Sequence, residues 1–269
     1  MSNPAVFRAV MIGDVFGAPG MRAVEVVLPR LREEHSPNIV VVNAENAAAG
    51  SGTTPKQAKA LFEAGADVLT GGNHTLRRTE YVATLEEDPR VLRPANLVAR
   101  GAGSGSVVVD ARGGFRVGVL NLIGSVFIEA AQSPFAVVDD LIDRMRRETH
   151  LVIVDMHAEA TSEKRAIAHH LDGRATVVFG THTHVPTADE RILAGGTAYI
   201  SDIGMTGPHD SIIGVKAEPV LRRFLTGLPA RFEPATGDVR VQGIVVDAGA
   251  DGRATRIERF DIPVDVSVS

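Results

Sequence analysis

The amino-acid sequence predicts a layered α/β fold with mixed β-sheets and helices packed on them. In the first half, short apolar runs alternate with segments whose apolar residues recur at helical spacing, an order typical of parallel strands connected by helices. In the second half, several short apolar runs are separated by turn residues, which indicates antiparallel strands. Hydrophobic residues make up 44% of the 269 residues. This is enough for a substantial core, and we expect one domain over residues 1–269.

Three strands and two helices are expected in the first half. The strands are the short apolar runs Phe7–Ile12, Ile39–Val42 and Val68–Thr70. The first helix is expected over Met21–Glu34, kinked or restarted at Pro29, because proline lacks the N–H that a helix interior requires. The second helix is expected over Pro55–Glu63, since Thr54 is a good N-cap and Gly65 a good stop signal.

The second half is expected to begin with a hairpin. Val107–Val109 and Phe115–Leu122 flank a turn that contains two glycines, which is typical of paired antiparallel strands. Helices are expected over Val137–Thr149 and Ser162–Leu171. Further strands are predicted for the apolar runs Leu151–Met156, Thr176–Phe179, Tyr199–Ile200, Val220–Phe224, Val239–Val246 and Thr255–Phe260. From Tyr199 onward we expect these strands to be antiparallel.

Composition excludes several classes of protein. The chain has 28 basic and 33 acidic side chains and a net charge of −5, whereas nucleic-acid binders need a basic surplus, so no stable nucleic-acid partner is expected. The absence of cysteine excludes disulfides, Cys-ligated zinc, iron–sulfur clusters and thiol catalysis. Residues Met1–Asp14 show no secretory leader, and no apolar run approaches the ~18 residues of a membrane helix. We therefore expect a cytoplasmic protein without membrane contact.

Potential metal ligands and acid–base groups directly follow five of the predicted strands. The five segments are Gly13–Gly17, Asn43–Asn46, Gly71–His74, Met156–His157 and Gly180–His184. Singly, each has an ordinary structural explanation, because an aspartate after a strand often caps a helix and a lone histidine is often a core residue. The carboxyl ends of strands form the ligand-binding rim of an open α/β sheet. The repeated placement of such groups there predicts a metal site.

The order of these segments resembles the calcineurin-like metallophosphoesterase superfamily. The pattern is Asp, then Asn-x-Glu-Asn, Gly-Asn-His, a single His and finally Gly-x-His-x-His. It is most similar to the bacterial YmdB-like subgroup, which is described as phosphodiesterases acting on 2′,3′-cyclic nucleotides. Strings similar to that subgroup are also found at Leu92–Asn96, His157–Lys164 and Asp202–Pro208. The resemblance implies a four-layer α/β/β/α sandwich, with two mixed β-sheets flanked by helices.

The resemblance also implies a centre with two divalent metal ions. Asp14, Glu45, Asn46 and His184 would hold one ion. Glu45, Asn73, His157 and His182 would hold the other, with Glu45 bridging the two. Other superfamily members carry Asp-x-His in the first motif, whereas Phe16 stands at the histidine position here, and Asn46 would replace the missing imidazole. Carboxylate, amide and imidazole ligands without thiolate suit iron or manganese, and zinc also fits.

His74 has a different expected role in this scheme. It follows the expected ligand Asn73, and it would act as the general acid that protonates the leaving oxygen while a metal-bridging hydroxide attacks phosphorus. The alternatives are a further metal ligand or a structural hydrogen-bond donor. The expected substrate is a 2′,3′-cyclic nucleoside monophosphate or a similar small phosphodiester.

Two other functions are compatible with the sequence. One is a phosphomonoesterase or nucleotidase with the same metal centre, and the other is a non-catalytic metal-bound regulatory or RNA-binding module. The resemblance further implies self-association into a homo-oligomer. The loop Met205–Asp210 could contact the substrate, contact another subunit or have a structural role.

Overall fold

The computed structural model describes residues 6–98, 100–130 and 132–265. Over these residues the chain forms two mixed β-sheets and six α-helices. The strands, in chain order, are β1 Phe7–Ile12, β2 Asp14–Val15, β3 Ile39–Asn43, β4 Val68–Thr70, β5 Ser106–Asp110, β6 Arg116–Ile123, β7 Val152–His157, β8 Val177–Thr181, β9 Arg191–Ile192, β10 Ala198–Ile200, β11 Met205–Pro208, β12 Val239–Ala248 and β13 Ala254–Pro263. The helices are α1 Gly17–His35, α2 Pro55–Ala64, α3 Val82–Glu87, α4 Val138–Arg146, α5 Thr161–His170 and α6 Ala217–Thr226.

The first sheet has the strand order β2-β11-β12-β1-β3-β4, and β13 pairs with the other edge of β12. Strands β1, β3 and β4 are parallel, with Val10 opposite Val40 and Val42 opposite Leu69. Strand β12 is antiparallel to β1 and to β13. The predicted parallel arrangement of the first three strands is therefore confirmed, and the C-terminal hairpin completes the same sheet.

The second sheet has the strand order β5-β6-β7-β8-β10-β9. Its four central strands, β6, β7, β8 and β10, are parallel to one another. The edge strands β5 and β9 are antiparallel to their neighbours, and β5 with β6 forms the predicted hairpin. Both sheets are thus mixed, as expected.

Three apolar clusters show how the layers pack. Ala9 and Met11 of β1 face the second sheet, whereas Val10 and Ile12 face α1. Because β1 is covered on both faces, its sequence is continuously apolar rather than alternating. Helices α4 and α5 cover the outer face of the second sheet through side chains such as Ile142. The order of layers is helices, sheet, sheet, helices, and the four-layer sandwich implied by the family resemblance is confirmed.

Helix α1 differs from its predicted bounds. It begins at Gly17 and continues through Pro29 to His35, so the predicted start at Met21 was too late. Gly20 lies in the first turn of the helix, and its role is close packing. A Cβ at Gly20 would lie 2.2 Å from the carbonyl oxygen of Thr206, which means that only glycine lets the first turn of α1 approach β11.

Three further expectations about the second half were wrong or only partly right. The run Val220–Phe224 lies in helix α6 rather than in a strand, and its apolar positions 220, 221 and 224 are compatible with helical spacing. Tyr199–Ile200 belongs to β10, which is antiparallel to β9 as expected but parallel to β8 on its other side. Most of the predicted loop Met205–Asp210 is strand β11, which pairs with β2 and β12. Short apolar runs do not reveal their partners in the sequence, which explains these errors.

The topology brings five strand ends together. Strands β1, β3 and β4 of the first sheet and β7 and β8 of the second all end at the same rim of the sandwich, where the polar segments follow. Helix α2 connects β3 to β4 and starts with the expected cap, because the Thr54 hydroxyl accepts from the Gln57 N–H and the Gln57 side chain returns to the Thr54 N–H. Within the described ranges, every helix is too short or too polar to cross a bilayer.

Candidate metal centre

The seven residues expected to bind metal lie at the rim where the two sheets meet. Each follows or ends one of five strands. Asp14 follows β1, Glu45 and Asn46 follow β3, Asn73 follows β4, His157 ends β7, and His182 and His184 follow β8. The sandwich thus places residues that are up to 170 positions apart in the chain around one carboxylate, that of Glu45.

Glu45 occupies the middle of this group. Its side chain is buried, and Oε1 lies 3.1 Å from Nε2 of His157 and 3.4 Å from Nδ1 of His74. The other oxygen, Oε2, accepts the backbone N–H of His74 at 3.0 Å, and Asn46 Nδ2 lies 3.3 Å from Oε1. The carboxylate therefore faces residues from both sheets.

One group of possible ligand atoms surrounds His157. Its Nε2 lies 3.0 Å from Oδ1 of Asn73 and 3.1 Å from Nδ1 of His182. Together with Glu45, one potential ligand atom each of His157 and His182 lies within 4.8 Å of the others. These three residues form a possible metal site. Asn73 has its side-chain oxygen beside it, where it could complete the ligand set.

The second group comprises Asp14, Asn46 and His184. Nε2 of His184 lies 3.1 Å from Asn46 Nδ2 and 3.8 Å from Asp14 Oδ1. The Asn46 amide nitrogen faces Asp14 and His184, while the amide oxygen faces Nδ1 of His74 at 2.8 Å. Coordination through the Asn46 oxygen would require a half-turn of the amide, which exchanges the positions of the two atoms.

Hydrogen bonds outside the centre orient the imidazole of His157. The Thr181 hydroxyl donates to the buried carboxylate of Asp155 at 2.7 Å. Its oxygen can therefore accept a hydrogen bond from Nδ1–H of His157, which lies 2.9 Å away. This tautomer leaves a lone pair on Nε2, the nitrogen that faces Glu45. Asp155 also accepts from Thr70 and Asn43 at 2.5 and 3.0 Å, which holds it in place.

The other two histidines have the same arrangement. Nδ1 of His184 lies 2.9 Å from the carbonyl oxygen of Ile213, to which it can donate. Nε2 of His182 lies 3.1 Å from the carboxylate of Glu159. In each case the outer nitrogen faces an oxygen to which it can donate, and this tautomer leaves the inner nitrogen free. Histidines that bind metals show this pattern, because the outer hydrogen bond fixes both tautomer and ring orientation.

Gly72 keeps space open beside these ligand atoms. A Cβ at this position would lie 2.2 Å from both Oε2 of Glu45 and Nε2 of His157. No side chain can be accommodated without displacing them. The glycine therefore allows the chain after β4 to pass directly against the inner atoms of the centre. The space that a Cβ would fill is left open, and a metal ion would need this space.

The pKa values of several groups in the centre are strongly shifted from their ordinary values. Burial opposes the charge on Glu45, but the facing His157 and His74 outweigh burial and lower the pKa of Glu45 to about 2. Burial likewise disfavours protonated His157, but Glu45 and Asp14 raise its pKa to about 9. Burial and the facing His157 lower the pKa of His182 to about 3. The carboxylates thus attract positive charge to His157, charge that a divalent ion would supply instead of a proton.

The loop between His182 and His184 is fixed by a buried ion pair. Both histidines have positive φ angles, +100° and +65°, a backbone conformation that residues other than glycine rarely adopt. Between them, the backbone N–H and hydroxyl of Thr183 both donate to Oδ2 of Asp202, at 3.1 and 2.8 Å. The same oxygen accepts from Nζ of Lys164 at 2.8 Å. This pair holds the strained loop in position.

Sequence reasoning missed several of these supporting residues. Asp155 and Glu159 are each two positions from His157, and Asp155 was visible as a charged residue within an apolar strand. Lys164 ends one of the strings that carry the family resemblance, but its burial could not be predicted, because helical lysines are usually exposed. Phe16 was noted as replacing a histidine of the superfamily. Its ring packs edge-to-face on the His184 imidazole, with 5.6 Å between the ring centroids.

Comparison with known proteins identifies the family of this chain. Residues 10–260 match the family model described as YmdB-like protein. The chain belongs to the YmdB-like family. It is 43% identical over 259 residues to a Bacillus subtilis protein named 2′,3′-cyclic-nucleotide 2′-phosphodiesterase, an alignment that covers 96% of this chain and 98% of the relative. It is also 38% identical over 244 residues to a putative phosphatase/phosphodiesterase of Mycoplasma pneumoniae, with 88% and 86% covered.

Solved structures agree with this assignment. A hypothetical protein from Thermus thermophilus superposes with a TM-score of 0.89 at 40% identity, over 96% of this chain and 99% of that one. A Mycoplasma pneumoniae structure described as a novel phosphatase also gives 0.89, at 34% identity, over 97% and 95%. The 5′-nucleotidase precursor of Thermus thermophilus matches in fold alone, with a TM-score of 0.56 at 13% identity, over 97% of this chain and 55% of that one.

These relationships establish the class of the YmdB-like chain. It is a hydrolase of the phosphodiesterase/phosphatase type with a fold related to the metallophosphoesterases. The alternative of a non-catalytic binding module is set aside on this ground. The predicted enzyme class is confirmed, and Glu45, His157 and His182 form a possible metal site.

Proposed function

We propose that this protein hydrolyses 2′,3′-cyclic nucleoside monophosphates at a centre of two divalent metal ions. The observation that carries the proposal is the position of Glu45 between two groups of possible ligand atoms, each of which includes residues from both sheets. The name and the 43% identity of the Bacillus subtilis relative support the choice of substrate.

In this proposal Glu45 contributes to both metal positions. Asp14, Asn46 and His184 complete one position, and Asn73, His157 and His182 complete the other. The hydrogen-bonded outer nitrogens and the gap at Gly72 support this ligand set. When bound, two divalent ions supply Lewis-acid polarisation of the phosphoryl group and an activated water. Iron or manganese fits the oxygen and imidazole donors, and zinc fits as well.

His74 is proposed as the general acid. Its backbone N–H is fixed by Glu45, and its ring lies against Asn46 and lines the open cleft beside the centre. If Asn46 binds a metal through its oxygen, its amide nitrogen then faces Nδ1 of His74 and donates to it. The neutral imidazole would carry its proton on Nε2. Such a proton is available to the leaving oxygen, a contribution typically worth about 10²–10⁴-fold in rate.

The proposed reaction adds water across one ester bond of the ring. Water adds to phosphorus and releases a proton, and the bond between phosphorus and the 2′ oxygen breaks. The 2′ oxygen takes a proton from His74, and the proton released by water restores His74. The product is a nucleoside 3′-monophosphate. This regiochemistry follows the printed name of the Bacillus subtilis relative, a 2′-phosphodiesterase.

Hydrolysis of phosphomonoesters is the second candidate function. The Mycoplasma pneumoniae relative is named a putative phosphatase/phosphodiesterase, and the similar structure from that organism is described as a phosphatase. Bis-p-nitrophenyl phosphate is a phosphodiester and p-nitrophenyl phosphate is a phosphomonoester. Comparing the rates at which the protein hydrolyses them therefore separates the two activities.

The test is hydrolysis of 2′,3′-cyclic AMP by purified protein in Mn²⁺, with products separated by chromatography. We expect 3′-AMP, loss of turnover after chelation and recovery when Mn²⁺ is restored. Formation of 2′-AMP would contradict the assigned bond cleavage. Absence of turnover with Mn²⁺, Fe²⁺ and Zn²⁺ alike would contradict the proposed function.

A further inference from the structure

A cleft of about 680 Å³ opens directly beside the candidate metal centre. His74 and His184 line its inner end. The rest of its wall is largely apolar and comes from the residue after β2, from the segment after β3 and from the region of α6. The apolar lining includes Phe16, Ile213, Val215, Val220, Phe224 and Phe232. The cleft therefore changes from polar at the centre to apolar at its outer end.

The outer end presents aromatic surface that nothing in the described chain covers fully. Phe224 lines the cleft although its side chain is 83% exposed, and Phe232 is 41% exposed. The guanidinium of Arg223 lies 5.5 Å from the centre of the Phe232 ring. An exposed phenylalanine ring with a free face, next to a guanidinium, is a suitable surface for a flat aromatic ligand.

We infer that the outer end of the cleft binds the nucleobase of the substrate, with Phe224 as the residue on which the base stacks. The inference rests on the proposed function and specifies its substrate class. A cyclic nucleotide carries an anionic phosphodiester at one end and a flat, weakly polar base at the other. The metal centre with His74 matches the first part, and the apolar end of the cleft matches the second.

The same helix offers a competing use for this surface and also a matched control. Leu225 is adjacent to Phe224 and equally exposed at 83%, but it does not line the cleft. If the exposed face of α6 served contact between two copies of this chain, Phe224 and Leu225 would both take part. If the cleft binds a base, Phe224 matters and Leu225 does not.

The experiment compares two diesters that differ only in the base. 2′,3′-Cyclic AMP and methyl ribofuranoside 2,3-cyclic phosphate are assayed in Mn²⁺ with the wild type, Phe224→Ala, Phe224→Trp and Leu225→Ala. The measured quantity is the ratio of kcat/KM for the nucleotide to kcat/KM for the base-free diester. In Phe224→Ala we expect this ratio to fall by about 5- to 100-fold, as for the loss of one base–aromatic stack. Phe224→Trp should restore it, and Leu225→Ala should keep the wild-type ratio.

A binding measurement without turnover complements the kinetics. Calorimetric titration of the Mn²⁺-loaded protein with adenosine, which has no phosphate, should detect binding by the wild type that Phe224→Ala loses. An unchanged ratio in Phe224→Ala would overturn the inference, as would an equal fall in Leu225→Ala accompanied by dissociation of an oligomer. If the wild type hydrolyses both diesters equally well, the inference about the base is overturned and the proposed function is not. If the wild type hydrolyses neither diester, the proposed function is overturned.

Discussion

The buried ion pair between Lys164 and Asp202 allows a quantitative test of how the histidine loop is held. The two side chains are each 2% exposed, and their charged atoms are 2.8 Å apart. Lys164→Met keeps most of the length of the stem but removes the charge. The Asp202 carboxylate would then remain buried with neutral donors only. Breaking a buried pair in this way typically destabilises a protein by about 3–5 kcal/mol.

The chain provides a control with the same chemistry at the surface. Lys216 and Glu233 are also 2.8 Å apart, but their side chains are 56% and 52% exposed. Removing a charge from such a pair typically changes stability by about 0–1 kcal/mol. The predicted difference between Lys164→Met and Lys216→Met is therefore several kcal/mol, although the two distances are identical.

The assay is urea unfolding of the wild type and both variants in the presence of a chelator. Chelation ensures that metal binding does not add to the free energy of unfolding. Fitting with a common slope gives each difference from the shift in midpoint. If Lys164→Met loses no more stability than Lys216→Met, the buried pair is not what holds the loop, and the reasoning from burial is refuted.

Four further predictions concern other features of the molecule. His74→Ala should retain the metal content of the wild type and lose about 10²–10⁴-fold in kcat, and equal rates at full metal content would remove the general-acid role. Glu45→Gln should lower the metal content measured by elemental analysis, because the buried carboxylate faces both groups of ligands; unchanged stoichiometry would contradict the bridging role. Thr54→Ala should reduce the free energy of unfolding by about 1 kcal/mol, since it removes the cap of α2, and an unchanged urea midpoint would show that the cap contributes nothing. The hydrogen bond from Arg8 lowers the pKa of Asp247. The ionised Asp247 carboxylate should therefore stabilise the fold above its unfolded pKa of about 4, and this stabilisation should be lost as the pH falls through the lower, folded pKa. Asp247→Asn should then approach wild-type stability in acid, and a constant difference at every pH would refute this.

Much of the candidate centre could be predicted from the sequence because its residues lie at strand ends. The buried strands are short apolar runs, and the polar groups directly after them stand out. A carboxylate at a buried strand end, such as that of Glu45, requires a partner. The order of the motifs supplied the family resemblance. The individual ligand assignments, a single domain and self-association remain predictions.

The sequence did not reveal features that depend on distant partners. Lys164 and Asp202 are 38 positions apart, and their pairing exists only because α5 packs beside the end of β10. Likewise, β11 has few sequence signals, and it forms because Asp14–Val15 and β12 lie on either side of it. Helix α1 continues through Pro29, although proline usually interrupts a helix interior. Local patterns predict elements well, but packing decides such cases.

The central claim is that ligands from both sheets hold two metal ions around Glu45. The most direct measurement is anomalous diffraction from crystals of the protein grown with Mn²⁺. The account predicts two anomalous peaks per chain about 3.5–4 Å apart, both adjacent to the Glu45 carboxylate, with His157 and His182 at one and His184 at the other. Density elsewhere, or an empty space between Glu45 and the histidines in ample Mn²⁺, would contradict it.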